Sequence, residues 1–154
     1  MKNKSLLMVL ILVSIGACLS LINAQPSMRF RGSDGWGPDT RYEQLFDNFN
    51  LRTHMGKVVR VDTATHIRGE MSVGMRLIIA FDNGEEIPVH LGPMWFAVNQ
   101  DINFPRGESV EIRGHRTNLS GSEFIMPVEI RSRHRAFRFR DDDGKPFWTV
   151  IRPR

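Results

Sequence analysis

Hydrophobic and polar residues alternate with a period of two along most of the chain after residue 55. A period of two places successive side chains on opposite faces of an extended strand, whereas the apolar face of a helix repeats about every 3.6 residues. One stretch is instead a nearly continuous apolar run, which is typical of a central strand. The pattern predicts five β-strands, at 56–64, 74–82, 85–91, 107–116 and 122–132.

The turns and connections between these strands reduce the number of architectures that the chain could adopt. "NGEE" at 83–86 is an Asn-Gly hairpin signal between the second and third strands. The segment 93–100 separates the third strand from the fourth, which matches the strand plan of an OB-like barrel. We therefore predict a mainly β fold, a small OB-like antiparallel barrel, with an extra C-terminal β-hairpin formed by 135–140 and 147–151. An open antiparallel sandwich is the alternative.

The first residues have the layout of an export signal. Two lysines precede an apolar run, and small residues follow it, so residues 1–24 are predicted to be a signal peptide that ends at "INA". A second processing site competes with this one. "IGAC" at 15–18 resembles a lipobox, which would make Cys18 a lipidation site after a leader of residues 1–17. Both sites predict an exported protein of the bacterial periplasm, and the second adds a lipid anchor as its only contact with the membrane.

The stretch between the leader and the first strand divides into two parts. Residues 25–41 are rich in Gly, Pro and Ser and show no period, so we expect a flexible tether followed by an OB-like β domain at 42–154. A short helical turn is predicted within 42–51, where Leu45, Phe46 and Phe49 could share one face.

Charge and cysteine content exclude several classes of protein. The chain holds 21 basic and 17 acidic residues, a net charge of +4. Loss of Lys2 and Lys4 with the leader would halve this excess, which is too small to favour nucleic-acid binding. The single cysteine belongs to the leader region, so the mature domain is expected to contain neither a disulfide nor a thiolate metal site.

His90 is the most conspicuous candidate for chemistry, because it precedes a turn predicted at Gly92-Pro93 and two adjacent aromatic residues, Trp95 and Phe96, which are expected to cover its ring. A neutral imidazole in this position can satisfy backbone hydrogen bonds, and we expect this structural role. The alternative is a ligand role towards a metal ion or a haem edge, with His115 as the second candidate metal ligand. The histidines are scattered and show no HxxxH, HExxH or CxxCH spacing, so we predict no cofactor and no metal site.

Trp95 and Phe96 allow two interpretations. Their rings could form a stacking surface for a ligand, or they could plug one end of the barrel, which is the usual duty of the segment between the third and fourth strands. We expect the plug. No arrangement of a nucleophile, a histidine and an acid is recognisable, and we expect a protein that is not an enzyme.

The sequence "RSRHRAFRFRDDDGK" concentrates arginines before three aspartates. The predicted hairpin would place Arg138 and Arg140 in solvent close to Asp141, Asp142 and Asp143, and exposed ion pairs of this kind contribute only about 0–1 kcal/mol each. The alternative is a patch that binds an anionic ligand or a membrane surface. Together with His90, Trp95 and Phe96, these two arginines are the candidate ligand- or partner-binding residues.

An ordered set of motifs resembles a known family. "GKVVRV", "GEEIPVHLGPMWF", "FPRGESVEIRGHR", "IMPVEIRS" and "FRFRDDDGKPFW" occur in the order found in the exported OB-like domain of the MamS/MamX magnetosome proteins and of related stand-alone secreted proteins. The resemblance covers about residues 42–149. It implies a periplasmic β-barrel module with redox or metal-handling partners. Some members carry c-type haem motifs, but this chain has no CxxCH, so that activity is not implied here.

The leading functional hypothesis is a non-enzymatic exported binding or scaffolding module of the cell envelope. It would act through an envelope protein partner, for which a cytochrome or a metal-handling protein is the candidate. One alternative is an accessory metal- or redox-handling periplasmic protein that uses His90. The other is a nucleic-acid-binding OB module, which only the arginines of the C-terminal hairpin favour.

Overall fold

The computed structural model describes residues 35–64 and 69–149. Six strands, one short helix and two 3-10 helices make up this part of the chain. The strands are β1 (Arg52–Ala64), β2 (Gly74–Ala80), β3 (Glu86–Pro93), β4 (Ser109–Leu119), β5 (Ser122–Ser132) and β6 (Ala136–Arg138); the helix is α1 (Met94–Asn99), and the 3-10 helices are η1 (Glu43–Leu45) and η2 (Phe147–Thr149).

The strands form one sheet in the order β3-β2-β1-β4-β5-β6, and a further pairing joins β3 to β5. All neighbours pair antiparallel except β3 and β5, which run parallel and meet at Val89 and Ile125. This last pairing closes the sheet into a ring, with α1 between the third and fourth strands. The predicted mainly β, OB-like barrel is confirmed.

Strand β1 takes part in both halves of the barrel. Residues 52–57 pair with β4 and residues 57–64 pair with β2, and the register shifts between Val58 and Arg60. A bulge of this kind bends a strand and increases its twist, which allows one strand to turn the corner between two layers. The strand begins four residues earlier than the alternating pattern predicted, because "RTHM" mixes exposed and half-buried positions without a clean period.

The core fills the interior of this ring with aliphatic and aromatic side chains from all five long strands and α1. Val110 and Ile112 of β4 are buried, as their alternation with charged neighbours predicted. Leu77 and Ile79 of β2 face them in the same cluster. Burial of this apolar surface is the main source of stability in a chain with a single cysteine.

The domain begins earlier than expected. Residues 35–41 belong to the predicted tether, yet Trp36 is completely buried, its indole Nε1 donates to the carbonyl of Ser72, and its own carbonyl accepts a hydrogen bond from Trp148 Nε1 at 2.8 Å. The glycine and proline residues around Trp36 give this stretch the composition of a linker. The buried indole of Trp36 nevertheless anchors the stretch to the core. The rest of the predicted tether, 25–34, lies outside the described residues, as do the leader and Cys18.

Two local predictions need correction. Gly92 and Pro93 do not form a turn; they are the buried end of β3, and Gly92 has a φ of 101° beside a register shift between Met75 and Arg76 of β2. The C-terminal hairpin has only its first strand: β6 pairs with β5, but residues 147–149 form η2 instead of the predicted second strand. A single bridge between Arg140 and Pro146 remains of that hairpin, flanked by hydrogen bonds from Phe147 N–H to the Phe139 carbonyl and from Asp141 N–H to the Lys145 carbonyl.

Near the start of the domain, η1 matches the predicted helical turn, although its apolar residues do not share a face. Leu45 and Phe46 pack against the core, whereas Phe49 is 98% exposed. Among the residues described, no helix is long and apolar enough to cross a bilayer.

Candidate functional site

A cleft of about 240 Å³ opens on one side of the barrel. Strands β1, β2 and β3 form one wall, and the turn between β4 and β5 with the start of β5 forms the other. This is the face that OB folds use for ligands, made from the second and third strands and the loop between the fourth and fifth. The first wall consists of Ala64, Arg76, Pro88 and His90, and the second of Leu119, Ser120, Ser122, Glu123 and Phe124.

The cleft exists because β3 and β5 pair over a very short length. They meet at Val89 and Ile125. The cleft residues of β5 all precede Ile125, whereas those of β3, Pro88 and His90, lie on either side of Val89. We call this side of the barrel, where β3 meets β5, the seam.

His90 forms part of the cleft wall, but its surroundings differ from those expected. It is 4% exposed, and its ring stacks on Phe124 with centroids 4.1 Å apart. Its Nδ1 lies 3.1 Å from the Tyr42 hydroxyl, a buried hydrogen bond between residues 48 positions apart. The predicted cover, Trp95 and Phe96, is thus replaced by Tyr42 and Phe124.

The Tyr42 hydroxyl is held in its protonated form. Burial raises the pKa of this phenol well above its ordinary value, the nearby Glu43 raises it further, and Arg140 opposes the increase. A protonated phenol can donate to an imidazole nitrogen, and a partner of this kind fixes the orientation of the ring. The hydrogen bond therefore gives His90 a defined position in the wall of the cleft.

The charged groups around the cleft form pairs with one another. Arg76 donates to Asp62 from Nη2 at 2.8 Å and from Nε at 3.3 Å. Arg116 donates to both carboxylate oxygens of Glu123 at 2.7 Å and to Glu85 at 3.3 Å. These hydrogen bonds lower the pKa of Asp62 and of Glu123, so both carboxylates are ionised at neutral pH. The rim is therefore polar, and these two cations and three carboxylates leave it with one excess negative charge.

Trp95 and Phe96 lie away from the cleft, on α1. Phe96 is buried and contacts Trp148 at a centroid distance of 5.4 Å, so it plugs the barrel end as expected. Trp95 is half-buried and meets Phe96 edge to face at 6.2 Å. Neither ring offers an open stacking surface beside His90.

The two candidate arginines differ in their exposure to solvent. Arg138 is exposed and pairs with Asp142 at 2.7 Å, which is the solvated arrangement that the sequence predicted. Arg140 is 1% exposed and donates to both oxygens of Glu43, so its predicted place in solvent is wrong. Its guanidinium also lies 4.0 Å from the centre of the Phe46 ring. Arg140 is therefore a structural residue and cannot contact a partner directly.

The candidate second metal ligand, His115, contacts different residues from His90. Its Nδ1 lies 3.3 Å from the carbonyl of Asn50, and its ring meets Phe46 edge to face, whereas His90 contacts Tyr42 and Phe124. Across residues 35–64 and 69–149, no group of three or more His, Cys, Asp or Glu side chains could hold a metal ion.

Sequence reasoning missed most of the cleft. Alternation placed Arg76 and Pro88 on strands, but it carries no information on which strands meet across a barrel. Tyr42 was assigned to a helical turn, and nothing in its local sequence pointed to His90. The OB strand plan itself was the usable signal, because it predicts a ligand face beside the β4–β5 turn.

Comparison with known proteins agrees with the motifs. A family model described as the MamS/MamX magnetosome protein family matches residues 50–136, which is more than half of the chain. The matched region runs from the start of β1 to the start of β6 and contains every wall of the cleft. No curated protein matches the chain. The chain belongs to the MamS/MamX magnetosome protein family.

Proposed function

We propose that this member of the MamS/MamX family is a non-enzymatic binding module of the bacterial cell envelope, which holds a protein partner in the cleft at the seam. The observation that carries the proposal is the position of the cleft on the OB ligand face, between β2, β3 and the β4–β5 turn.

The size and charge of the cleft favour a polypeptide partner. Pockets for drug-sized ligands and cofactors usually measure about 300–1,000 Å³, and this cleft is smaller, at about 240 Å³. It suits one or two side chains of a partner. Because Arg76 and Glu123 are already paired at its rim, the cleft offers no strong field for a small anion or cation.

The proposed compartment rests on the leader. An export signal at 1–24, or at 1–17 with lipid on Cys18, would bring the domain to the periplasm. A partner would then be another envelope protein, for which a cytochrome or a metal-handling protein is the candidate that the family suggests.

A second candidate function is metal or redox handling through His90. The observation in its favour is the Tyr42 hydroxyl 3.1 Å from His90 Nδ1, since histidine ligands are commonly oriented by a second hydrogen bond of this kind. Elemental analysis of the purified protein tests it. Stoichiometric copper, zinc or iron that is lost in His90→Ala, with the fold retained, would establish this function in place of the first.

The binding proposal is tested by filling the cleft. Ala64→Trp places an indole into the cleft from the first wall, whereas Val61→Trp, a matched change on the same strand, places one at an exposed position that does not line it. Tagged wild-type protein and both variants are isolated from envelope extracts after reversible cross-linking. We expect the same specific partner with the wild type and with Val61→Trp, and its loss with Ala64→Trp. Equal recovery with all three proteins, each with a normal thermal melt, would refute a cleft-bound partner.

A further inference from the structure

We propose that the partner enters the seam as an extended segment, which pairs with the open strand edges of the cleft and inserts one bulky uncharged side chain into it. This inference rests on the proposed function and adds the conformation and the chemistry of the bound segment. It follows from the strand edges, the apolar surface and the paired charges of the cleft.

Strand β5 has one fully paired edge and one edge that is paired only in part. One edge of this strand is paired with β4 along its whole length, from Ser122 to Ser132. The other edge pairs with β6 at residues 129–131 and with β3 at Ile125. Within the part of the chain that the structure describes, Ser122 and Glu123 have no strand partner on this edge. Both residues line the cleft and are exposed.

Strand β3 presents the complementary edge. It pairs with β2 from Glu86 to Pro93, and on its other side it meets β5 at Val89. Among the described residues, 86–88 have no strand partner on that other side. The cleft is thus bordered by one edge of β3 and one edge of β5, which diverge from the contact between Val89 and Ile125. The β5 edge at Ser122 and Glu123 is exposed, and edges of this kind bind extended peptides by main-chain hydrogen bonds, while pockets beside them select side chains. On the β3 edge Pro88 has no N–H and can only accept through its carbonyl.

The second observation concerns the side chain that the cleft would accept. Its walls are mixed: Ala64, Pro88, Leu119 and Phe124 supply apolar surface between polar side chains. Its volume is close to that of one large side chain, and a deeply inserted apolar or aromatic residue is the usual anchor of a protein interface.

The third observation concerns charge. Arg76 and Asp62 neutralise each other, and Arg116 is paired with Glu123 and Glu85. A charged anchor would have to break one of these pairs or remain unpaired at a partly dehydrated site, which is costly. An anionic anchor would meet a rim with one excess negative charge, and a cationic anchor would compete with Arg116 for Glu123 and Glu85. Charge complementarity therefore favours an uncharged anchor with polar or β-branched neighbours on the same segment.

The test uses capped pentapeptides and the purified ¹⁵N-labelled protein. The reference peptide is Thr-Thr-Phe-Thr-Thr, which is uncharged and favours extended conformations. Three matched peptides replace the central Phe by Ala, replace it by Glu, or carry N-methyl groups on alternate amides. The N-methyl peptide keeps the side chains but loses the main-chain donors. Binding is followed by amide shifts in two-dimensional NMR spectra, with Ala64→Trp and Val61→Trp as protein controls.

We expect the reference peptide to shift the amides of Ser122, Glu123 and Ile87, and to bind at least about tenfold more tightly than each of the three matched peptides, a ratio typical of losing an anchor or a strand pairing. Ala64→Trp should abolish the shifts and Val61→Trp should retain them. Equal binding of the N-methyl peptide would overturn the strand pairing, and tighter binding of the Glu peptide would overturn the uncharged anchor. If no peptide shifts these amides although an envelope partner is still lost in Ala64→Trp, this inference fails and the proposed function stands.

Discussion

Arg140 reaches across the domain to Glu43, with Nη1 and Nη2 donating to the two carboxylate oxygens at 2.6 and 3.0 Å. The two residues are 97 positions apart, and their side chains are 1% and 5% exposed. Arg140 also donates to the carbonyl of Gly144, and its guanidinium lies over the Phe46 ring. The pair therefore joins η1 to the turn after β6. Burial raises the pKa of the Glu43 carboxyl, and Arg140 opposes this increase by attraction and by hydrogen bonding.

Breaking this pair should destabilise the fold strongly. Arg140→Met leaves the Glu43 carboxylate buried without its cation, which typically costs about 3–5 kcal/mol. The double variant with Glu43→Gln should recover part of this loss, since no buried charge remains. Arg138→Ala, which breaks the exposed pair with Asp142, is the control and should cost less than about 1 kcal/mol. Urea unfolding measures these three variants and the single variant Glu43→Gln. A double variant as unstable as the sum of its single changes would contradict a coupled pair.

The segment before residue 42 should contribute to the stability of the domain. Trp36→Ala removes a completely buried indole and should lower the free energy of unfolding by about 3–5 kcal/mol. Phe49→Ala removes an aromatic ring that is 98% exposed, and its effect should stay within about 0.5 kcal/mol. Thermal melts of both variants measure the difference. If Trp36→Ala melted like the wild type, this segment would be a tether after all.

The end of β3 should tolerate no side chain at Gly92. This residue has a φ of 101°, and a Cβ there would lie 2.7 Å from the Trp148 ring. Gly121 is a useful comparison, because its φ is 85° but no atom lies within 4 Å of an added Cβ. Gly121→Ala should therefore cost only the left-handed conformation, about 1–2 kcal/mol, whereas Gly92→Ala adds overpacking of about 1–3 kcal/mol. Equal losses in chemical denaturation would show that the ring of Trp148 moves aside without cost.

Stability should fall in mildly acidic solution, in part through His54. Burial, followed by the cations of Arg116 and Arg52, lowers the pKa of this imidazole. Its Nε2 is buried and has no hydrogen-bond partner among the described residues. In the unfolded chain the ring takes up a proton near its ordinary pKa of about 6.5, while the folded ring stays neutral. Folding therefore loses stability as the pH falls below about 6.5 and down to the lowered folded pKa.

Unfolding free energies measured at several pH values between about 7 and 5, a range that spans the ordinary imidazole pKa, test this effect against His54→Gln. The variant should show a shallower decline than the wild type, because it has no imidazole to titrate at this position. Parallel curves for the two proteins would assign the decline to other groups.

The sequence predicted what local patterns determine. Period two located four of the long strands, a continuous apolar run located β2, and β5 was predicted with the observed bounds, 122–132. It could not predict contacts between distant residues. Arg140 is charged and follows an alternating run, so it was assigned to solvent; only the presence of Glu43 beside it explains its burial. The burial of Trp36 was not predicted, because its Gly- and Pro-rich neighbours have the composition of a linker. His90 was recognised as unusual, but its partners Tyr42 and Phe124 lie 48 and 34 positions away.

The central claim is that the cleft at the seam holds a protein partner, and photo-crosslinking in intact cells tests it most directly. A benzophenone amino acid is placed at Ser122 in the cleft and, as the control, at Thr53, which is exposed on β1 and does not line the cleft. We predict one discrete protein adduct from position 122, its disappearance when Ala64→Trp is added, and no such adduct from position 53. An adduct that forms equally from both positions, or that survives the filled cleft, would contradict the claim.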